Sequence, residues 1–175
     1  MTRNEILKVM HQAHADFLAV IADIPDDVMA TRPVIDWWTL KDLLGHIAMW
    51  YAVGLKFIRE FQQDGVPKPL GFQDDAAIDA HNKREVALRR DWSLARVRAE
   101  FDAAFRDLVV AVEQLNDAQL RTQLPAPWPQ TEPQPVTLER LIAVNTYEHL
   151  PEHTEQIRRW NQSRGYGHPV ARAPA

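Results

Sequence analysis

Apolar side chains recur at three- and four-residue intervals over most of this chain. Leu7, Met10, Phe17, Leu18 and Ile21, with His14 among them, form the first series, and Thr2 and Glu5 open it as a T-x-x-E capping box. Ile24-Pro25-Asp26-Asp27 interrupts the series and predicts a first helix ending near residue 23. The next segment, ATRPVIDWWT, is crowded with proline and aromatics and predicts an irregular connection. Thr39 is an N-cap residue with Asp42 in the following turn. Behind it a second stripe runs through Leu43, Ile47, Trp50, Tyr51, Gly54, Leu55, Ile58 and Phe61, with His46 at its side. Residues 63–69 break that helix with Gly65, Pro67 and Pro69. A more polar stretch from Asp74 to Arg89 predicts a shorter helix. Ser93 then caps the most regular stripe, Leu94, Val97, Phe101, Phe105, Leu108, Val109, Val112 and Leu115. One short turn follows over Asp117 to Thr122. Residues 124–136 hold five prolines and predict a loop of fixed shape, because each proline locks its own φ. Thr137 caps a last long helix through Leu138, Leu141, Ile142, His149, His153, Ile157 and Trp160.

No segment alternates with strand period between turn signals, and no internal repeat is visible. The pattern predicts an all-α fold, an up-and-down four-helix bundle with an extra short helix and a proline-rich loop. The length of 175 residues suits one core. The expected organisation is a single domain over residues 1–165 and a flexible C-terminal tail over 166–175.

Composition narrows the function. Hydrophobic residues make up 46% and charged residues 25%, the profile of a soluble globular chain. The formal net charge of −4 and the scattered basic residues argue against a nucleic-acid partner. The Arg89-Arg90 and Arg158-Arg159 pairs read as solvated helix faces. The chain has no cysteine, so disulfides, thiolate metal ligands and a protein nucleophile of that kind are excluded. Neither a signal-peptide core nor an apolar run of about 20 residues is present, so no membrane role and a cytoplasmic location are expected.

The chemistry concentrates late in the chain, in NTYEHLPEHTEQIRRW. His149 and His153 are four apart and share a helix face, with Asn145 and Gln156 as neighbours. Neutral imidazoles ligate zinc at about 2.0–2.1 Å, and two from one helix leave room for a third ligand. His46, beside the stripe of the second helix, is the natural third. Three histidines with vacant positions make an open, catalytic kind of site. The plain alternative is that all three are hydrogen-bonded packing residues, as His14 is expected to be. Pro151 sits between the pair. It either kinks a continuous helix or begins a new one, and in the second case the two rings could diverge. His-Leu-Pro-Glu-His also matches the inverted zinc-protease signature. That reading is rejected, because the proline is awkward there, only Glu155 follows as a carboxylate ligand, and the chain is too small for a peptide cleft. Ser93 and Ser163 read as cap and loop residues. Glu148 and Glu152 read as solvent-facing, and either is a weak candidate for a partner of a ligating ring or a general base. Gln156, one turn beyond His153, is a candidate donor to a ligating ring, and Glu152 and Gln156 are the weak candidates for a catalytic role. Trp37, Trp38, Trp50 and Trp128 are candidates to wall a pocket.

Trp38-Thr39-Leu40-Lys41-Asp42-Leu43-Leu44-Gly45-His46-Ile47 resembles the W-t-x-K-D-x-x-x-H start of the second helix in the DinB-like superfamily. His149-x-x-x-His153-x-x-Gln156-Ile157 resembles its second signature. That superfamily includes YfiT-like metal-dependent hydrolases, bacillithiol and mycothiol S-transferases, and the self-protection proteins of the DfsB group. The resemblance implies a four-helix bundle, a divalent metal on His46, His149 and His153, and a homodimer. The expectation that follows is a metal-dependent enzyme of small molecules, a thiol S-transferase or hydrolase serving detoxification or self-protection. Its metal would be zinc, nickel, manganese or iron. A low-molecular-weight thiol would be a cosubstrate, since the chain supplies none itself. The competing expectations are a non-catalytic small-molecule binding or sequestration protein, and a bundle whose histidines only pack.

Overall fold

The computed structural model describes residues 1–127 and 135–164. Most of the proline-rich loop, Trp128 and the proposed tail lie outside the described residues.

Four long helices carry the fold: α1 (Arg3–Ile21), α3 (Leu40–Asp64), α5 (Leu94–Glu113) and α8 (Leu150–Arg164). They form a helical bundle, as the hydrophobic pattern predicts. Shorter helices fill in between: α2 (Asp26–Thr31), α4 (Asp75–Leu88), α6 (Asp117–Leu120) and α7 (Leu138–Val144). α3 packs chiefly on α5, α1 packs on α8 and α5, and α4 lies against α3.

Local chemistry sets most boundaries. Thr2 and Glu5 close the capping box of α1, and Thr39 and Asp42 do the same for α3. Ser93 accepts from the Arg96 N–H at the start of α5, and Thr137 from the Arg140 N–H at the start of α7. Gly65 ends α3 in the left-handed region at φ 76, a conformation that favours glycine. Phe17, Tyr51, Phe57 and Phe101 are the largest fully buried side chains of the core. α3 is buried over most of its first half, not on one stripe alone: Leu43 through Met49 are all buried. It is the central helix, clasped by neighbours on several sides.

Two corrections to the sequence reading concern short elements. The ATRPVIDWWT segment is ordered as the end of α2 and a small antiparallel hairpin, β1 (Pro33–Ile35) with β2 (Trp38–Thr39). Asp36 turns it at φ 50, a left-handed conformation that aspartate tolerates better than most residues. A second pair joins β3 (Gln123–Leu124) to β4 (Val136–Thr137). Each pair delivers the chain to a threonine N-cap, Thr39 of α3 or Thr137 of α7. Strands of two or three residues are too short to show a period-2 pattern.

The third correction concerns the last long helix. It is two helices, α7 and α8, separated by turns over residues 145–149. Pro151 has no N–H to donate back to the carbonyl of residue 147, and its ring would crowd that carbonyl. The helix therefore restarts at Leu150, and Pro151 sits in the first turn, where a missing N–H leaves no bond unmade. Side chains hold the junction together. Asn145 Nδ2 donates to the Leu141 carbonyl at 2.7 Å and Thr146 Oγ1 to the Ile142 carbonyl at 2.7 Å. The Leu150 N–H bonds the Thr146 carbonyl at 2.9 Å.

Candidate metal centre

The restart does not separate the two late histidines. His149 ends the turn and His153 lies in the first turns of α8, and their ring centroids are 4.6 Å apart. His46, from α3, meets both, at 5.1 Å from His149 and 5.3 Å from His153. The three rings join through the same kind of atom. His149 Nε2 is 3.2 Å from His46 Nε2 and 2.9 Å from His153 Nε2. Donor atoms of all three residues lie within 4.8 Å of one another. His46 is 4% exposed and His153 9%.

One proton cannot serve both short contacts. His153 Nδ1 faces the carbonyl oxygen of Gln156 at 2.8 Å. That oxygen only accepts, so Nδ1 carries the ring's proton and Nε2 is left with a lone pair. If His149 Nε2 is protonated, it donates to one neighbour and has neither a second proton nor a lone pair for the other. If it is not, its lone pair faces that of His153. A cation satisfies all three nitrogens at once. Two ligands about 2.05 Å from a zinc ion are about 2.9 Å apart at a right angle and about 3.4 Å apart at the tetrahedral angle. The observed 2.9 and 3.2 Å fall in that range.

Burial keeps the rings neutral, which is the form that ligates. Loss of solvent pushes His46 down to about 2, and the neighbouring His149 and His153 add to it. Burial, then His153, pushes His149 down to about 3. His153 is also lowered by burial, against the opposing pull of its bond to Gln156. The Nδ1 atoms of His46 and His149 are buried without a hydrogen-bond partner among the described residues. Their polar engagement runs through Nε2 alone.

Aromatic rings surround the cluster. The β1–β2 hairpin places Trp38 over His46 at 4.9 Å, edge to face. Trp50, one turn along α3, stands 6.4 Å from His46 and 6.3 Å from His149. Trp37 is 49% exposed and packs on Trp38, one ring removed from the histidines. Glu152 is exposed, and its carboxylate lies 3.5 Å from Gln156 Nε2, which leaves the Gln156 carbonyl turned toward His153. Glu148 is exposed and paired with Arg140.

Several other sequence readings resolve here. His14 is a packing residue: it stacks on Phe105 at 3.7 Å, with Nδ1 3.2 Å from the Tyr51 hydroxyl. Ser93 is a cap, and Ser163 bonds the Trp160 carbonyl. Arg158 and Arg159 are exposed and pair with Glu155. Arg89 is not a solvated residue. It is half-buried between Glu85 and Glu100 and ties α4 to α5. The sequence reading also missed the wall beyond Trp50. There α4 brings Asn82, whose carbonyl accepts from Trp50 Nε1 at 3.2 Å, and His81, 6.2 Å from the Trp50 ring. Phe72 closes the same patch, 5.0 Å from His81 and 6.5 Å from Trp50. α4 has no strong apolar stripe, so spacing alone gives no direction in which its histidine would face.

The profile of the DinB superfamily matches residues 10–157, and the chain belongs to that superfamily. Solved structures agree in fold. The sibling lethal factor precursor DfsB superposes with a TM-score of 0.76 at 18% identity, over 95% of this chain and 99% of that one. The colibactin self-resistance protein ClbS, solved in complex with a dsDNA, gives 0.76 at 14% identity, over 92% and 96%. YfiT from Bacillus subtilis, described as a probable metal-dependent hydrolase with an unusual four-helix bundle topology, gives 0.66 at 14%, over 94% and 89%. No curated protein matches the sequence.

Proposed function

We propose that this chain is a metal-dependent enzyme of small molecules, a thiol S-transferase or hydrolase, with one divalent ion held by His46, His149 and His153. The observation that carries the reading is the convergence of three neutral, largely buried imidazoles on one point, through Nε2 contacts that no arrangement of their own protons satisfies. Such an ion supplies Lewis acidity and lowers the pKa of a bound water or thiol. The protein's own part is positional. Gln156 fixes the tautomer of His153, and Trp38 and Trp50 keep the flank of the cluster apolar, which strengthens electrostatic effects there. A thiol nucleophile must come from outside, because the chain has no cysteine. Detoxification or self-protection is the role such chemistry suits.

Zinc, nickel, manganese and iron all accept imidazole ligands, and supply decides among them as much as affinity does. A small molecule is the proposed partner, with no nucleic acid, because the net charge of −4 is the wrong sign for binding phosphate backbones. Among the described residues no helix is long and apolar enough to cross a membrane. A homodimer in the cytoplasm completes the proposal.

A second reading, a sequestration protein without turnover, draws on the half-buried Trp38, Trp50 and Phe72 and on the exposure of Glu152, the candidate base. Metal-loaded protein offered a low-molecular-weight thiol and a small electrophile separates the two. Thiol consumption that stops on chelation and in His153→Ala supports the enzyme. Ligand binding without turnover in fully loaded protein supports sequestration.

A further inference from the structure

Among the described residues, His81 is the one histidine near the cluster that the metal reading leaves unused. It lies on α4, half-buried, with its ring 5.0 Å from Phe72 and 6.2 Å from Trp50. Trp50 in turn borders His46 and His149. The indole thus adjoins both the three-imidazole cluster and His81, and Asn82 fixes its orientation through Nε1. The proton on His81 can be placed. Arg84 Nη2 lies 2.8 Å from His81 Nδ1, and a guanidinium only donates. His81 Nδ1 is therefore the acceptor, and the ring carries its proton on Nε2. A neutral imidazole whose Nε2–H has no partner among the described residues, backed by Arg84 and beside aromatic rings, is a donor for a ligand oxygen, and the nearby Glu85 carboxylate is already paired with Arg89.

We propose that His81 Nε2–H, supported by Arg84, binds the end of the substrate remote from the metal, and that the substrate has a flat apolar body and a terminal carboxylate or carbonyl oxygen. The body would lie along Trp50 and Phe72, where stacking favours a planar ring. The reacting end would reach the histidine cluster. This rests on the metal reading above and adds to it the class of molecule and the residue that selects it. His81 is a substrate-binding residue here, and Arg84 positions it.

The test uses cobalt(II)-loaded full-length protein and two thiols that differ only in the remote group, 4-mercaptobenzoate and thiophenol. Thiolate binding is followed by the sulfur-to-cobalt charge-transfer band. The wild type is expected to prefer 4-mercaptobenzoate by about tenfold, the worth of one charge-assisted hydrogen bond. His81→Phe, which keeps the ring packing, is expected to bind both thiols alike. His81→Gln, which keeps a donor, is expected to retain a preference. Long-range nitrogen NMR of the wild type should show His81 as the Nε2–H tautomer. An equal preference in wild type and His81→Phe, with cobalt bound one per chain in both, overturns this proposal and leaves the metal reading standing. Failure of the wild type to bind cobalt at all overturns both. If His81→Phe does not fold, the comparison of His81→Gln with the wild type and the tautomer measurement still decide.

Discussion

His153 Nδ1 and the Gln156 carbonyl oxygen stand 2.8 Å apart, one helical turn from each other on α8. Because that oxygen accepts only, the contact assigns the His153 proton and frees its Nε2 for the cluster. Gln156→Leu removes the acceptor at little change in volume. It should weaken zinc binding by about tenfold or more, the usual scale for an outer partner of a ligating histidine. The thermal midpoint of the metal-free protein should stay near wild type. Equal zinc affinity in the two proteins, measured by competition with a chromogenic chelator, would remove the role given to Gln156.

His14 sets an acid limit on stability. Burial, with a smaller contribution from His11, pushes it down to about 4 from its ordinary value near 6.5. The unfolded chain therefore takes up this proton at a higher pH than the folded one does. Stability from this residue is full above pH 6.5 and falls as pH drops through 6.5 toward 4. Below that it levels off. His14→Phe, which keeps the stack on Phe105 and Phe101, should flatten this part of the urea-denaturation profile between pH 6.5 and 4. A profile as steep as that of the wild type over that interval would contradict the assignment.

Gly45 marks where α3 meets the Arg89 clasp. A Cβ there would stand 2.7 Å from Arg89 Cδ. Arg89 cannot swing away freely, since its fork is bonded to Glu100 at 2.8 and 2.7 Å and also to Glu85. Gly45→Ala should cost about 1–3 kcal/mol in chemical denaturation, the range of overpacking in tight sites. A neutral or stabilising substitution would show the clasp to be slack.

Pro151 begins a helix and does not bend one. Pro151→Ala should therefore leave zinc affinity within about threefold, because the turn held by Asn145 and Thr146 already brings the rings together. Stability should fall by about 0.4–1 kcal/mol, since alanine leaves the unfolded chain more freedom. A loss of zinc affinity beyond tenfold would mean that the proline itself sets the convergence.

The long helices α1, α3 and α5 were legible because each carries an apolar stripe behind a chemically explicit cap, at Thr2, Thr39 and Ser93. The three-histidine cluster was legible in part. The i, i+4 spacing placed His149 and His153 together, and the stripe of the second helix placed His46 inward. Pro151 left the geometry open, because one residue is compatible with a kink and with a restart. The hydrogen bonds that decide between them come from Asn145 and Thr146, whose side chains carry no helical period. The hairpins were invisible because two or three residues cannot display alternation. His81 was missed for the opposite reason: α4 is polar almost all round, so only the contacts of Trp50 with Asn82 and His81 reveal which side faces the cluster.

The most direct measurement is the zinc stoichiometry and dissociation constant of the full chain beside His46→Ala, His149→Ala and His153→Ala. One zinc per chain is expected, with a loss of about a hundredfold or more in each variant, at least as large as the effects of losing an outer partner. Saturation that never reaches one ion per chain, or three variants that hold zinc as tightly as the wild type, would contradict it.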